Sequence, residues 1–217
     1  TEINYHPHDP TLAELAINPL FEDNDFEFLE LQTLGQETFD LNGVRFIDGI
    51  DFDFTGSDMT NMDPGDRVLI VANQSAFAAR YGTELNHLIA GQYSGGLSNG
   101  GEQLTIVNSL DQIMQDFIYD DEGDWSRLPD GFGATLEVID PLSALNDASN
   151  WRASSEFEGS PGMAGAGPLG SVIVNEVLPN TNLPLIDAVE LYNPTGAAID
   201  IGGWWLSNSL DNLNRYI

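Results

Sequence analysis

A chain of 217 residues, 41% of them hydrophobic, is long enough to bury one sizeable core or two smaller ones. It contains no cysteine and no lysine, and six Arg stand against 35 Asp and Glu, for a formal net charge of −29. This balance excludes a disulfide framework and thiolate metal sites, and it makes nucleic acid a poor partner, because phosphates would be approached against the chain's own field.

Residues 1–5 read as a short strand stopped by the proline-containing HPHDP, and Thr11 to Ile17 has a helical pattern. Strands are expected at about 26–32, 37–41 and 44–47. The stretch Phe28 to Phe46 is written twice: shifted by 160 positions, Ala188 to Leu206 lies over it without a gap. Glu30, Leu31, Asp40 and Gly43 recur as Glu190, Leu191, Asp200 and Gly203. FLEL and AVEL alternate with a period of two, TLGQ and NPTG supply turns, and Asn42-Gly43 or Gly202-Gly203 makes a tight corner, so each copy reads as a β-meander. So long a spacing points to tandem whole domains rather than stacked small repeats.

Further along, IDFDF at 50–54 alternates core and solvent positions, and RVLIVA at 67–72 is the most continuously apolar strand. Asn73 is placed to cap a short helix, QSAFAARY, which Gly82 ends. The glycine-dense 91–102 is a loop, LTIVN at 104–108 and the strand within 110–119 form a hairpin, and ATLEVI is another strand. Leu29, Leu31, Phe39, Val68, Ile70, Leu104, Ile106, Leu136 and Val138 fall on one alternation face and are expected to form one core. GSPGMAGAGPLG, 159–170, has linker composition. The fold class is mainly β, an antiparallel sandwich with one short helix.

TEINYHP, DFEFLELQTLGQETFDLNGVRF, RVLIVANQSAFAARYG, GGLSNGGEQLTIV, DGFGATLEVIDP and NWRASSEFEGSPG, in that order, resemble bacterial lamin-tail-domain proteins. The resemblance implies an immunoglobulin-like sandwich over 1–162, a Gly/Pro/Ala linker over 163–170, and the incomplete opening of a second such domain over 171–217. It further implies a noncatalytic adhesion or tethering module of a larger secreted or cell-surface bacterial protein, with no catalytic residues of its own. Its partners would be other domains of the same polypeptide, polysaccharide or a cell-surface protein. The alternative is a calcium- or carbohydrate-binding module that targets an attached enzyme.

The residues themselves offer several sites to weigh. Asp120, Asp121, Glu122 and Asp124 crowd one loop where oxygen ligands could converge on calcium, against the simpler reading of a solvated acidic loop. Asp51 to Gly56 opens like a calcium loop, but the twelfth position is Met62. His6 and His8, with Asp9, have spacing suited to a transition metal but lack a third imidazole. Gly96 to Gly100 matches G-x-S-x-G around Ser98, with His87 as nearest base, yet a glycine loop precedes it and a strand follows, the reverse of a nucleophile elbow. Trp125, Trp151, Trp204 and Trp205 are candidates for a sugar platform or for core. Alternation sends Val44 and Trp204 inward and Arg45 and Trp205 outward.

No apolar run approaches the ~20 residues of a membrane span, and TEINYHPHDP is no signal peptide, so the chain reads as a mature fragment, while the resemblance implies an extracellular or cell-surface location. The apolar residues of 171–217 are expected to pack on another surface, either the first sandwich or a second copy in a dimer.

Overall fold

The computed structural model of the protein describes residues 1–167, 172–181, 186–194, 198, 199, 201, 204, 206 and 207. Two units are formed, Thr1–Ala166 and Gly167–Ile217. The first holds strands β1 (Glu2–Asn4), β2 (Phe28–Gln32), β3 (Phe39–Asp40), β4 (Arg45–Asp48), β5 (Asn61–Met62) and β6 (Arg67–Val71). These are followed by β7 (Ile89–Gln92), β8 (Glu102–Val107), β9 (Ile113–Tyr119), β10 (Leu136–Val138) and β11 (Trp151–Ala153). Two helices interrupt them, α1 (Leu12–Ile17) and α2 (Gln74–Tyr81). The second unit holds β12 (Ile173–Leu178) and β13 (Ala188–Tyr192).

The first unit is a mainly β sandwich. A six-stranded sheet of order β11-β10-β1-β2-β6-β7 faces a three-stranded sheet, β4-β8-β9, and β3 pairs with β5 in a short ribbon. Ile3, Leu29, Val68, Ile70 and Leu136 of the larger sheet share one core with Phe46, Leu104, Ile106 and Phe117 of the smaller. Leu31 and Val138 pack half-buried against that core, as the alternation requires. Phe39 does not, and is 36% exposed: β3 ends after two residues, so no strand covers it. Residues 50–54 keep the expected alternation, with Ile50, Phe52 and Phe54 buried, but they make only isolated bridges and form no strand of their own.

Two local signals explain the helices. Thr11 and Glu14 form a reciprocal capping box for α1. Asn73 accepts from the amides of Ser75 and Ala76, and Gly82 ends α2 at φ 81°. Helix α2 is also the crossover between β6 and β7, which therefore pair in parallel, a departure from the antiparallel sandwich expected. The reason is geometric: a helix that returns the chain to the same edge brings it back in the same direction.

A second departure is that the larger sheet is covered on both faces. Phe28, Leu69, Val71 and Ile89 are buried against Phe77 of α2. Further along this face, Glu2, Glu30 and Glu137 lie under the segment 159–166. FLEL, which by its alternation reads as half-buried, is thus buried at Phe28, Leu29 and Glu30 alike.

In the second unit β12 and β13 pair antiparallel, and every residue of both strands is exposed. Their register repeats that of the first unit. Glu2 faces Glu30 and Ile3 faces Leu29 across β1 and β2; Glu176 faces Glu190 and Val177 faces Val189 across β12 and β13.

Candidate functional site

Three cross-strand glutamates form the most unusual grouping in the first unit. Glu2 sits opposite both Glu30 and Glu137 in the sheet register, and all three are buried. Like charges directly opposite one another destabilise a sheet, so each needs its own compensation. Glu30 pairs with Arg67, and Glu137 with Arg152 at 3.0 Å. Among the described residues Glu2 has no guanidinium partner of this kind. Its Oε1 accepts from the Thr135 hydroxyl at 2.6 Å and the Ser160 amide at 2.9 Å, and burial pushes its pKa up to about 7.

The same carboxylates hold the segment above them. The Ser160 hydroxyl donates to Glu137 Oε1 at 3.1 Å, and the Gly162 amide donates to Glu30 Oε2 at 2.7 Å. The Ala166 amide donates to Glu156. Residues 163–166, linker by composition, are therefore part of the first compact unit. The sequence does carry a trace of this row, since LEL and LEV each set a glutamate between apolar strand residues and EIN places one beside Ile3.

A second buried network centres on Glu27, whose Oε2 accepts from the Tyr93 hydroxyl at 2.6 Å and the Leu97 amide at 2.9 Å. Its other oxygen has no partner among the described residues, and burial raises its pKa to about 7. A third joins α1 to α2: Arg80 binds Glu14 at 2.7 Å and lies 3.6 Å from the centre of the Phe26 ring.

The residues singled out by sequence are dispersed. Asp120 Oδ1 accepts from the amides of Asp121 and Glu122, an Asx turn that occupies this carboxylate. Asp120, Glu122 and Asp124 line an open depression with Trp125 and Asp147, whereas Asp121 is directed toward Gly100. The described residues hold no group of three or more His, Asp or Glu placed to bind a metal. In the 51–56 stretch, Asp53 accepts from the Thr55 amide at 2.7 Å. His6 and His8 are drawn apart by different carboxylates, Asp130 at 2.6 Å and Glu158 at 2.9 Å.

Ser98 lies between β7 and β8, with its amide bonded to Glu102 and its carbonyl to the Tyr119 hydroxyl; His87 bonds the Glu84 carbonyl. The adjoining turn needs glycine at 101, where φ is +85° and a Cβ would stand 2.5 Å from the Tyr119 carbonyl oxygen. Trp151 is buried, bonded through Nε1 to the Leu145 carbonyl and stacked near Phe117 and Trp125. Trp204 is half-buried, and Trp205, Gly202 and Gly203 lie outside the described residues.

Between the two sheets runs an apolar cleft of about 240 Å³, which the sequence pattern did not reveal. Its inner walls include Leu31, Ile106 and Phe117, and its rim includes Leu34, Phe39 and Met114. These rim residues are exposed apolar groups. Cavities of this kind depend on where neighbouring strands end, which alternation does not encode. No family model matches this chain, and neither a curated protein nor a solved structure matches it.

Proposed function

We propose that the chain is a stretch of tandem β modules that serves adhesion or tethering in a larger secreted or cell-surface protein, and that it is not itself an enzyme. The observation that carries this reading is the repeated register: the glutamate-facing-glutamate, aliphatic-facing-aliphatic pairing of β1 with β2 returns in β12 with β13. Two units that begin alike, on one chain, suit spacing and multivalent surface contact. The resemblance to bacterial lamin-tail-domain proteins supports the same reading, as does the Ser98 turn, which precedes a strand rather than a helix.

The partners on this reading are neighbouring modules of the polypeptide, and a polysaccharide or surface protein, with a second copy meeting the exposed apolar residues of β12 and β13. Beads coated with the 1–217 chain should be retained on polysaccharide or bacterial cell-surface preparations above an albumin-coated control. The reading fails if the chain hydrolyses a model ester and Ser98→Ala abolishes that turnover. Stoichiometric heat on titration with calcium or with a soluble polysaccharide would instead favour the ligand-targeting alternative.

A further inference from the structure

The cleft between the sheets is larger than a packing defect. Well-packed interiors have few voids bigger than a water molecule, and an apolar cavity of about 150 Å³ already stays dry and takes up benzene. At about 240 Å³, the cleft exceeds that size, and it is lined mainly by aliphatic and aromatic residues of both sheets, with Gln32, Thr33 and Gln115 among the polar ones. Facing sheets stand ~10 Å apart, so the space is a slot one side-chain layer thick. Such a slot suits a slender chain, whereas a pyranose would leave hydroxyls unpaired against the apolar part of the lining, such as Leu31, Ile106 and Phe117.

The rim adds two further restrictions. Met62 and Met114, flexible and polarizable, contribute to the lining and can adjust to a slender occupant. No Arg is among the described lining residues. Arg67, on the strand beside Gln32, is already engaged by Glu30. A negatively charged head group would therefore approach against the field of a chain whose formal net charge is −29, with no Arg in the described lining to offset it.

We propose that this cleft is a binding site for a single unbranched aliphatic chain whose head group is neutral or cationic. The apolar tail lies between the sheets, with the head at the rim formed by Leu34, Phe39 and Met114. This function is separate from tethering and does not depend on it.

The test is a titration of the 1–217 chain with decylamine carrying a nitrobenzoxadiazole fluorophore on its nitrogen, a neutral probe whose unbranched tail fits the slot while the fluorophore stays at the rim, followed by competition. The expected result is a saturable, single-site rise in fluorescence that decanol and decylamine reverse at concentrations at least tenfold below those needed by decanoate. Met114→Trp and Leu145→Trp, both at partly exposed positions, should each weaken probe binding tenfold or more with circular dichroism unchanged. If one variant fails to fold, the other carries the comparison. Absence of saturable binding by the wild-type chain overturns the proposal. Binding unchanged in the folded variants overturns it too, by placing the probe elsewhere, such as on β12 and β13. Equal competition by decanoate would overturn the head-group selection.

Discussion

Arg80 shows how one residue can be indispensable to a fold without being part of a site. It is 1% exposed, and its partner Glu14 is 6% exposed, so removal of either leaves an unpaired charge out of water. Glu14 is held down to about 2: burial opposes this, but hydrogen bonds from Arg80 and Thr11 outweigh it. Arg80→Ala should destabilise the first unit by about 3–5 kcal/mol, whereas the double change Arg80→Met with Glu14→Leu should cost far less, as chemical denaturation will measure. Glu2 behaves in the opposite sense. Below its ordinary value of 4.5 it is protonated in both folded and unfolded chains and costs nothing. Between 4.5 and about 7 the folded chain keeps a proton that the unfolded chain has released, so stability falls as pH rises through that window, by about 3 kcal/mol in all. Glu2→Gln should therefore raise the melting temperature at pH 7 and leave it nearly unchanged at pH 4.5. An equal effect at both pH values would show that ionisation of the buried Glu2 carries no such penalty.

At the scale of the elements, burial on both faces makes the β1, β2, β6 region the centre of the unit. Ile70 is fully buried in the inter-sheet core, so Ile70→Ala should cost about 2–5 kcal/mol in denaturant unfolding. Phe39 shares the same alternation phase in sequence but stands on a two-residue strand, and Phe39→Ala should cost less than about 1 kcal/mol. Comparable losses at the two positions would mean that β3 is covered in solution. Helix α2 owes its start to one side chain, since Asn73 Oδ1 accepts from the amides of Ser75 and Ala76 at 2.9 and 3.2 Å. Its position also fixes the parallel pairing of β6 with β7, which is why a cap read correctly from sequence did not by itself disclose the sheet order.

For the molecule as a whole, the formal charge of −29 dominates the response to solution conditions. Self-repulsion of that size is relieved by screening, so the melting temperature should rise from low to molar NaCl. A flat or falling trend in a salt series would remove the argument. Calcium at matched ionic strength should add nothing further if the 120–124 carboxylates stay as dispersed as they are here. The protonation of Glu2 and Glu27 acts in the same direction as charge reduction, and Glu14 opposes it only at more acidic values. The first unit is thus expected to be more stable near pH 5 than at pH 7, provided it remains soluble.

The sequence alone determined the mainly β class, the helix of Gln74–Tyr81 with its cap and stop, the β8–β9 hairpin and most of the inter-sheet core. Those features are local, set by a period of two, by turn residues and by one capping side chain, so the order of residues contains them. It also showed the repeat that the register of β12 and β13 reproduces. Only the tertiary structure decided which faces are covered. Glu2, Glu30 and Glu137 read as solvent-facing in an alternating strand, and they are buried because a glycine-rich segment more than a hundred residues from the first two folds back over them. The cleft is likewise tertiary: its walls come from strands far apart in the chain, so no single stretch of sequence contains it.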